Sequence, residues 1–356
     1  MLPDTSVTFL KRLLDTPGPS GYERDPARVW REEARAFAEV SADVIGNSYA
    51  AAGPEGGPAV LLAGHVDEIG LIVTHVDDQG FVYVGPIGGW DPQVLVGQRV
   101  RFIGRHGPVL GVVGKKPIHL MKPEEREKAS KVTDLWVDVG AATKAEALER
   151  LEVGDAGVLD QPLLELPNNR IVSRAIDNRV GAFVVLEALR RYAEQPGAAR
   201  VVAVATTQEE IGFRGGGALV GAVRVAPVMS VVVDVTFATD QPGGVEKKEV
   251  GEATLGGGPV ITRGSISSPV AVRLLREAAG RLAVPYVMQG AGRMSATDAD
   301  AIHNAGLGVA TVIVSIPNRY MHSPSEMVSL DDLDRAAAII AEACRAVTAE
   351  TDFTDR

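Results

Sequence analysis

The sequence predicts an α/β protein assembled from both ends of the chain, with an all-β domain inserted between them. Residues 201–205, Val-Val-Ala-Val-Ala, are small or β-branched, which indicates a strand buried on both faces. Between residues 69 and 166, short β-branched runs alternate with Gly and Pro turns and leave little room for helix. From Asn168 onward, helical and strand patterns alternate again, which is typical of an α/β layer structure.

Composition limits the class of protein. The 356 residues are 46% hydrophobic and 23% charged, which suits a globular enzyme of one large or two medium domains. A net charge of −10 without a basic run argues against nucleic acid and anionic membrane as partners. The single cysteine, Cys344, excludes an internal disulfide framework and a cysteine metal cluster. With no signal peptide or membrane-length apolar run in the sequence, we expect a soluble, cytoplasmic protein.

The first 68 residues predict two helices and one strand. Phe9, Leu10 and Leu13 recur at helical spacing within residues 5–15, and the Pro- and Gly-rich residues 17–21 end that helix. A second helix is predicted over 25–39, with a narrow apolar stripe that would cover a sheet. Residues 59–64 then form a buried strand that ends at His65 and Asp67.

The inserted region predicts a small barrel or sandwich. Its apolar runs lie at 70–75, 81–84, 98–103, 109–113 and 135–139. The charged segment 123–131 and the helix-prone residues 144–151 are exceptions. We therefore predict that residues 69–166 form an inserted domain, and that residues 1–68 and 167–356 together form the main one.

The rest of the chain predicts further strands and helices of that main domain. Helices are expected at 178–194, 268–282 and 331–348, and strands at 201–205, 228–233 and 309–314. The 201–205 strand leads to Glu209 and Glu210, and the 228–233 strand ends at Asp234. Carboxyl ends of parallel strands share one sheet edge, where open α/β folds bind ligands.

Each of these polar positions has an ordinary explanation when it is taken singly. Asp177 precedes a helix and could be an N-cap, Asp234 could be a turn residue, and adjacent glutamates often lie on a solvated loop. His322, which follows a strand and a Pro-containing loop, could be a surface histidine.

Together they supply two histidines and three or four carboxylates at one predicted sheet edge. That donor set suits Zn²⁺, Co²⁺ or Mn²⁺, and a carboxylate shared between two ions would account for the number of ligands. Two ions can polarise a carbonyl and supply hydroxide at neutral pH. A neighbouring carboxylate would then remain as general base, which would explain why Glu209 and Glu210 are adjacent.

Seven segments in order along nearly the whole chain resemble the M42 family of dinuclear metallo-aminopeptidases, the tetrahedral or TET aminopeptidases. The segments are GHVDEIGLIV, IGGWDPQVLVGQRV, KPIHLMKPEEREK, SRAIDNRVG, TTQEEIGFRGG, VVDVT and RYMHSPSEMV. The resemblance implies Asp177 as the bridging ligand, with Glu210 and His322 on one ion and His65 and Asp234 on the other. It also implies Glu209 as the general base and Asp67 as the carboxylate that orients His65.

The same resemblance implies an architecture and an assembly. It predicts a zinc-peptidase-like mixed sheet flanked by helices, and a barrel-like insertion that serves dimerisation, with dimers assembling into a dodecamer. It further suggests a peptide bond between Asp177 and Asn178 that departs from trans geometry. Residues 297–300 and 256–258 are expected to line the substrate cleft, although a structural turn would explain the glycines equally well. His75, His106, His119 and His303 are not expected to be ligands.

The function predicted from the residues and the resemblance is removal of the N-terminal residue of short peptides, with two divalent ions per subunit, Zn²⁺ or Co²⁺ favoured over Mn²⁺. Alternatives are a metal-dependent deacylase or carboxypeptidase of the same superfamily, an endoglucanase-type glycosidase, and an inactive oligomeric scaffold. A glycosidase needs two carboxylates alone, which leaves His65 and His322 without a role. The sequence determines neither the preferred first residue of the substrate nor the physiological metal.

Overall fold

The computed structural model describes residues 1–212, 216–264 and 266–354, so part of the segment TTQEEIGFRGG lies outside the described residues. The helices are α1 (Asp4–Asp15), α2 (Arg24–Ala34), α3 (Pro123–Arg126), α4 (Lys144–Leu148), α5 (Ile176–Glu194), α6 (Gly216–Val225), α7 (Lys247–Val250), α8 (Pro269–Leu282), α9 (Asp298–His303) and α10 (Leu330–Arg345). The strands are β1 (Glu39–Ala42), β2 (Ser48–Ala52), β3 (Ala59–His65), β4 (Gly70–Val76), β5 (Val82–Ile87), β6 (Arg99–Gly104), β7 (Gly107–Gly114), β8 (Trp136–Asp138), β9 (Ala156–Leu159), β10 (Leu164–Leu166), β11 (Arg170–Ser173), β12 (Arg200–Thr206), β13 (Met229–Phe237), β14 (Val260–Arg263), β15 (Val287–Gly290), β16 (Ala310–Asn318) and β17 (Glu326–Ser329).

Eight of these strands form one mixed sheet in the order β1, β2, β12, β3, β13, β16, β14, β15. The central strands β12, β3, β13 and β16 run parallel to one another. Antiparallel pairing occurs towards both edges, between β1 and β2, between β2 and β12, and between β14 and β16. The predicted α/β class with a mixed sheet flanked by helices is confirmed.

The sheet is covered on both faces, which is why its central strands read as continuous apolar runs. Along β3, Leu62 belongs to the core formed with α5 and α10. Its neighbours Leu61 and Ala63 belong to a second core with α6 and α9 on the opposite face. Successive side chains of a strand point to opposite faces, so one short segment contributes to both layers.

Helix α5 packs closely against β3 and β13 of the sheet, and two glycines make that approach possible. A Cβ atom on Gly64 of β3 would lie 2.5 Å from the backbone carbon of Gly181, and one on Gly181 would lie 2.6 Å from the Val233 carbonyl oxygen of β13. Real Cβ atoms do not approach other atoms that closely, so neither position accommodates a larger residue. This contact brings the start of α5 next to His65 at the end of β3.

The inserted region forms a closed six-stranded barrel in the order β4, β5, β8, β7, β6, β9. It has its own apolar core, in which Leu71, Phe102 and Val137 are almost completely buried. The barrel strands all lie within the predicted range 69–166, although the exact domain boundaries remain a prediction. A separate three-stranded antiparallel sheet, β10-β11-β17, follows the barrel and joins β10, at the end of the predicted insertion, to two strands of the main domain.

The predicted second helix is too long. Helix α2 ends at Ala34, and Glu39–Ala42 instead forms the edge strand β1, paired with β2. The charged Arg and Glu residues of this stretch favour helix by propensity, but pairing with β2 overrides that weak preference. Within the described residues, no helix has the length and apolar content needed to cross a bilayer.

Candidate metal centre

The polar residues predicted at strand ends meet at one edge of the central sheet. His65 is the last residue of β3, Asp234 lies near the end of β13, and Glu209 and Glu210 follow β12. These strands are adjacent and parallel, with His65 paired to Thr206 of β12. Asp177 joins them from the start of α5, and His322 comes from the turn between β16 and β17.

Asp177 lies between the two histidines and directs one oxygen toward each. Its Oδ1 is 3.3 Å from His65 Nε2, and its Oδ2 is 3.4 Å from His322 Nε2. On either side, Glu209 Oε2 is 3.8 Å from His65 Nε2, and Glu210 Oε2 is 3.5 Å from His322 Nε2. Zn–N and Zn–O bonds of about 2.0–2.2 Å allow two donors on one ion to be about 3–4 Å apart. The separations therefore fit metal binding.

Two groups of three residues each place one donor atom per residue within 4.8 Å of the other two. The groups are His65 with Asp177 and Glu210, and His65 with Glu209 and Asp234. Glu210 Oε1 is buried and has no hydrogen-bond partner among the described residues. A buried carboxylate oxygen without a partner is costly unless a cation or proton faces it. Both observations fit a divalent ion. The second set also makes Glu209 a possible ligand, an alternative to the predicted role as base.

Asp67 holds several residues of this cluster in place through hydrogen bonds. His65 Nδ1 lies 3.3 Å from the Asp67 backbone carbonyl and 3.4 Å from its Oδ1, so Nδ1–H can donate and Nε2 is left to face the cluster. The same carboxylate accepts the backbone N–H groups of Glu209 at 3.2 Å and Glu210 at 3.1 Å, together with the Ser20 hydroxyl. One buried side chain therefore fixes three of the predicted site residues.

Burial changes the protonation of the cluster strongly. Burial, reinforced by the nearby Asp234 charge, raises the pKa of Glu209 to about 10. Burial and Asp177 likewise raise the pKa of Asp234 to about 8 and the pKa of Glu210 well above its usual range. Burial would also raise the pKa of Asp177, but hydrogen bonds from the histidines hold it below its usual value. A bound cation would favour the ionised form of every carboxylate here.

The peptide bond between Asp177 and Asn178 is cis, in agreement with the departure from trans geometry that the family resemblance suggested. The Asn178 side chain donates to the Val233 carbonyl at 2.8 Å and accepts the Gly181 N–H at 3.0 Å. These bonds attach the start of α5 to β13 as well as to its own next turn. The backbone next to Asp177 is therefore held by hydrogen bonds to β13 and to the next turn of α5.

Sequence reasoning did not single out two residues that contact the site, Glu326 and Gly89. Glu326 accepts the backbone N–H of Asp177 and of His322, each at 3.0 Å. The Gly89 carbonyl lies 2.8 Å from His322 Nδ1. Asp298, which belongs to the segment 297–300 expected to line the cleft, is buried and accepts the Thr206 hydroxyl. Glu326 and Gly89 lie within the segments RYMHSPSEMV and IGGWDPQVLVGQRV, so the signal was present, but nothing local marks either residue as part of a site.

A cavity of about 360 Å³ opens onto the cluster. It is lined by His65, Gly89, Asp177, Glu209, Glu210, Asp234, Val235, Thr236, Phe237, Ser295, Ala296, Thr297, Met321 and His322. The expectation for residues 297–300 therefore holds for Thr297. For the glycines at 256–258 the structure favours the alternative, a structural turn, because Gly256 and Gly258 donate their N–H groups to Asp332. His75, His106, His119 and His303, which were not expected to be ligands, are not among the described residues that line this cavity.

Comparisons with known proteins identify the family and the overall fold of the chain. The profile of the M42 glutamyl aminopeptidase family matches residues 46–339. A lysyl aminopeptidase of Pyrococcus furiosus is 35% identical over 97% of this chain and 98% of its own length. The solved TET aminopeptidase of a marine sediment Thaumarchaeota archaeon has a TM-score of 0.91 at 33% identity, covering 98% of both chains. The TET1 peptidase of Pyrococcus horikoshii, which can assemble into a tetrahedron or a large octahedral shell, has a TM-score of 0.85 at 29% identity, covering 96% of this chain and 100% of that one.

Proposed function

Because the chain belongs to the M42 glutamyl aminopeptidase family, and is therefore a metal-dependent aminopeptidase, we propose that it removes the first residue of short peptides at the Asp177 cluster. The observation that carries the proposal is the placement of Asp177, which directs its two oxygens at ring nitrogens of two different histidines. A carboxylate so placed can be shared by two ions.

The proposed centre holds two divalent ions, with Zn²⁺ or Co²⁺ favoured by the mixture of imidazole and carboxylate donors and Mn²⁺ also possible chemically. Asp177 would contact both, with Glu210 and His322 completing one site and His65 and Asp234 the other. Ions bound there would supply Lewis-acid polarisation of the peptide carbonyl and a lower pKa for water.

Glu209 is proposed as the general base. Its Oε2 lies at the edge of the cluster, 3.8 Å from His65 Nε2, while its backbone N–H is fixed by Asp67. From this position Oε2 would take a proton from the attacking water and deliver it to the amine nitrogen of the leaving group. Asp67 acts through its contacts, because it holds the His65 tautomer and the chain on either side of Glu209.

The structure gives less support to the other functions. A glycosidase would use two carboxylates on either side of a sugar, whereas here two histidines converge on one carboxylate. An inactive scaffold has no need for a buried Glu210 oxygen without a hydrogen-bond partner. A deacylase or carboxypeptidase would share the same ions and base, so it is distinguished by substrate and not by the cluster.

We further propose that the protein acts as a homo-oligomer, with the barrel mediating dimerisation and dimers assembling into a dodecamer. Leu110 and Val112 on β7 point out of the barrel and are 59% and 48% exposed, which leaves apolar side chains for a partner to cover. The TET1 peptidase reported above forms closed shells, and closed symmetry is the usual result of such pairing. The cytoplasmic location stays a prediction.

The decisive experiment compares one peptide with a free and with an acetylated amino terminus. We expect cleavage after the first residue of the free peptide only, loss of that activity on chelation, and its recovery with Zn²⁺ or Co²⁺. Mass spectrometry of the products identifies the bond that is cut. Release of acetate would favour the deacylase, release of the last residue the carboxypeptidase, and activity that survives complete chelation would contradict the metal-dependent mechanism.

The cavity wall also predicts which first residue is preferred. Outside the ion-binding cluster, the described lining residues are uncharged, and they include Phe237 and Met321. A charged substrate side chain would be buried there without a partner, so leucyl nitroanilide should exceed lysyl and glutamyl nitroanilides in kcat/KM by roughly tenfold or more. Thr297→Asp keeps an N-cap for α9 while adding an acid, and should shift the preference toward lysyl. A parent enzyme that prefers the lysyl substrate would contradict this reading.

A further inference from the structure

His322 depends on the inserted barrel for the orientation of its ring. Its Nδ1 lies 2.8 Å from the carbonyl of Gly89, a residue 233 positions earlier in the chain, in the loop that follows β5. We call residues 88–90 the barrel loop. His322 itself lies in a turn between β16 and β17, with φ of 58°, and its side chain remains 35% exposed. Neither a helix nor a strand holds this ring in place.

The contact determines which nitrogen faces the cluster. In a neutral imidazole one nitrogen carries the proton and the other is the acceptor or ligand. Donation from Nδ1–H to the Gly89 carbonyl leaves the Nε2 lone pair facing Asp177 Oδ2 at 3.4 Å and Glu210 Oε2 at 3.5 Å. His65 has a comparable support, but it comes from Asp67, only two residues further along the chain.

The barrel loop is itself held firmly against the site. Trp90 Nε1 donates to the Gly70 carbonyl at 2.8 Å, which fastens the loop to the start of β4. Gly88 has φ of 74°, and a Cβ there would lie 2.6 Å from Ile69 Cγ2 and 3.4 Å from Glu210 Oε2. A Cβ on Gly89 would lie 3.3 Å from His322 Nδ1. The two glycines thus allow the backbone to approach two proposed ligands.

A second observation places the barrel at the site independently of that hydrogen bond. A cavity of about 10 Å³, room for about one water molecule, lies between the barrel and the cluster. Ile69, Trp90 and Leu159 line it on the barrel side, and Glu210 and His322 are among the residues opposite. The barrel therefore forms one wall of a small cavity beside the cluster.

We propose that the barrel loop is a positioning element of the metal centre: the Gly89 carbonyl fixes the His322 tautomer and so sets the affinity of the ion that His322 binds. This inference rests on the proposed function. It also gives the insertion, which carries none of the predicted ligands, a role at the metal centre in addition to the predicted dimerisation. The ion on the His65 side, whose histidine is supported within the main domain, should not depend on the loop.

The test is stepwise titration of the metal-free protein with Co²⁺, followed by visible absorption and by competition with a chelator. Gly89→Ala keeps the carbonyl, but its Cβ would lie 3.3 Å from His322 Nδ1 and should displace the ring from that carbonyl. We therefore expect one of the two affinities to fall by about 10–100-fold, the usual effect of disturbing the support of a metal-binding histidine. Gly85→Ala is the matched control. Its Cβ would also meet a neighbour at 3.3 Å, but that neighbour is Thr74 Cγ2 within the barrel. Both affinities should therefore remain at the parent value.

A double-mutant cycle makes the assignment specific. In a His322→Ala background, Gly89→Ala should have no further effect on metal affinity, because the ring that it positions is gone. Trp90→Phe, which loses the bond to Gly70 but keeps an aromatic ring, provides a second variant and should weaken the same ion. Sedimentation of every variant checks that the assembly is unchanged.

The outcomes separate this inference from the function on which it rests. If the parent binds two ions and cleaves peptides while Gly89→Ala and Trp90→Phe keep both affinities, the inference is overturned and the function stands. Additive losses from Gly89→Ala and His322→Ala would also overturn it, because they would show an effect that does not pass through the ring. A parent that binds no second ion would overturn both.

Discussion

Glu209→Gln should lower turnover by roughly 10²–10⁴-fold while the protein keeps both ions, because the amide retains the shape of the side chain but cannot accept the proton of water. The measurements are kcat with leucyl nitroanilide and metal content after gel filtration. The position of Glu209 makes both necessary: it also lies within 4.8 Å of donor atoms of His65 and Asp234. Loss of an ion in the variant would make Glu209 a ligand, and near-normal turnover would remove it from the mechanism.

Glu23→Gln is the matched control for that variant. Glu23 is buried in the same region and accepts the backbone N–H of Gln208 at 3.1 Å, the residue just before Glu209. A glutamine oxygen can accept the same bond, so we expect most of the activity to remain. A similar loss in both variants would attribute the effect to removal of a buried carboxylate and not to proton transfer.

Asp177→Ala should lose both ions and with them all metal-dependent activity. Asp177 is the one residue assigned to both ions, and its two oxygens lie 3.3 and 3.4 Å from the two histidine rings. Asp234→Ala is the informative comparison, because Asp234 is assigned to the His65 side only and should cost one ion. Metal analysis of both variants, with sedimentation as the check on assembly, tests the assignment. Two ions retained in Asp177→Ala would refute the shared ligand.

Much of the fold could be read from the sequence. Buried parallel strands require apolar residues on both faces, so 59–64 and 201–205 stood out as strands. Where those strands stop, charged residues follow, and parallel strands share one carboxyl edge. The gathering of His65, Glu209, Glu210 and Asp234 followed from this rule, whereas the roles given to each residue came from the resemblance to a family.

Local patterns were weaker guides where tertiary contacts compete with them. Residues 39–42 have no strand signal strong enough to outweigh the helical character of the preceding stretch, yet they pair with β2 at the edge of the sheet. The glycines at 256–258 suggested a ligand site, but Gly256 and Gly258 donate to the buried carboxylate of Asp332, 74 or more residues later. A short sequence window never contains both partners of such a contact.

The sequence by itself determined which chemical groups this protein has and which edge of the sheet presents them, since periodicity and strand ends are local properties. The tertiary structure alone decided how those groups face one another. The close approach of Gly64 and Gly181 places Asp177 beside His65, Glu326 holds the backbone of Asp177 and His322, and the Gly89 carbonyl reaches His322 from the barrel. The physical reason is that hydrogen bonds and packing act over a few ångströms in space, whatever the number of residues that separates the two partners along the chain.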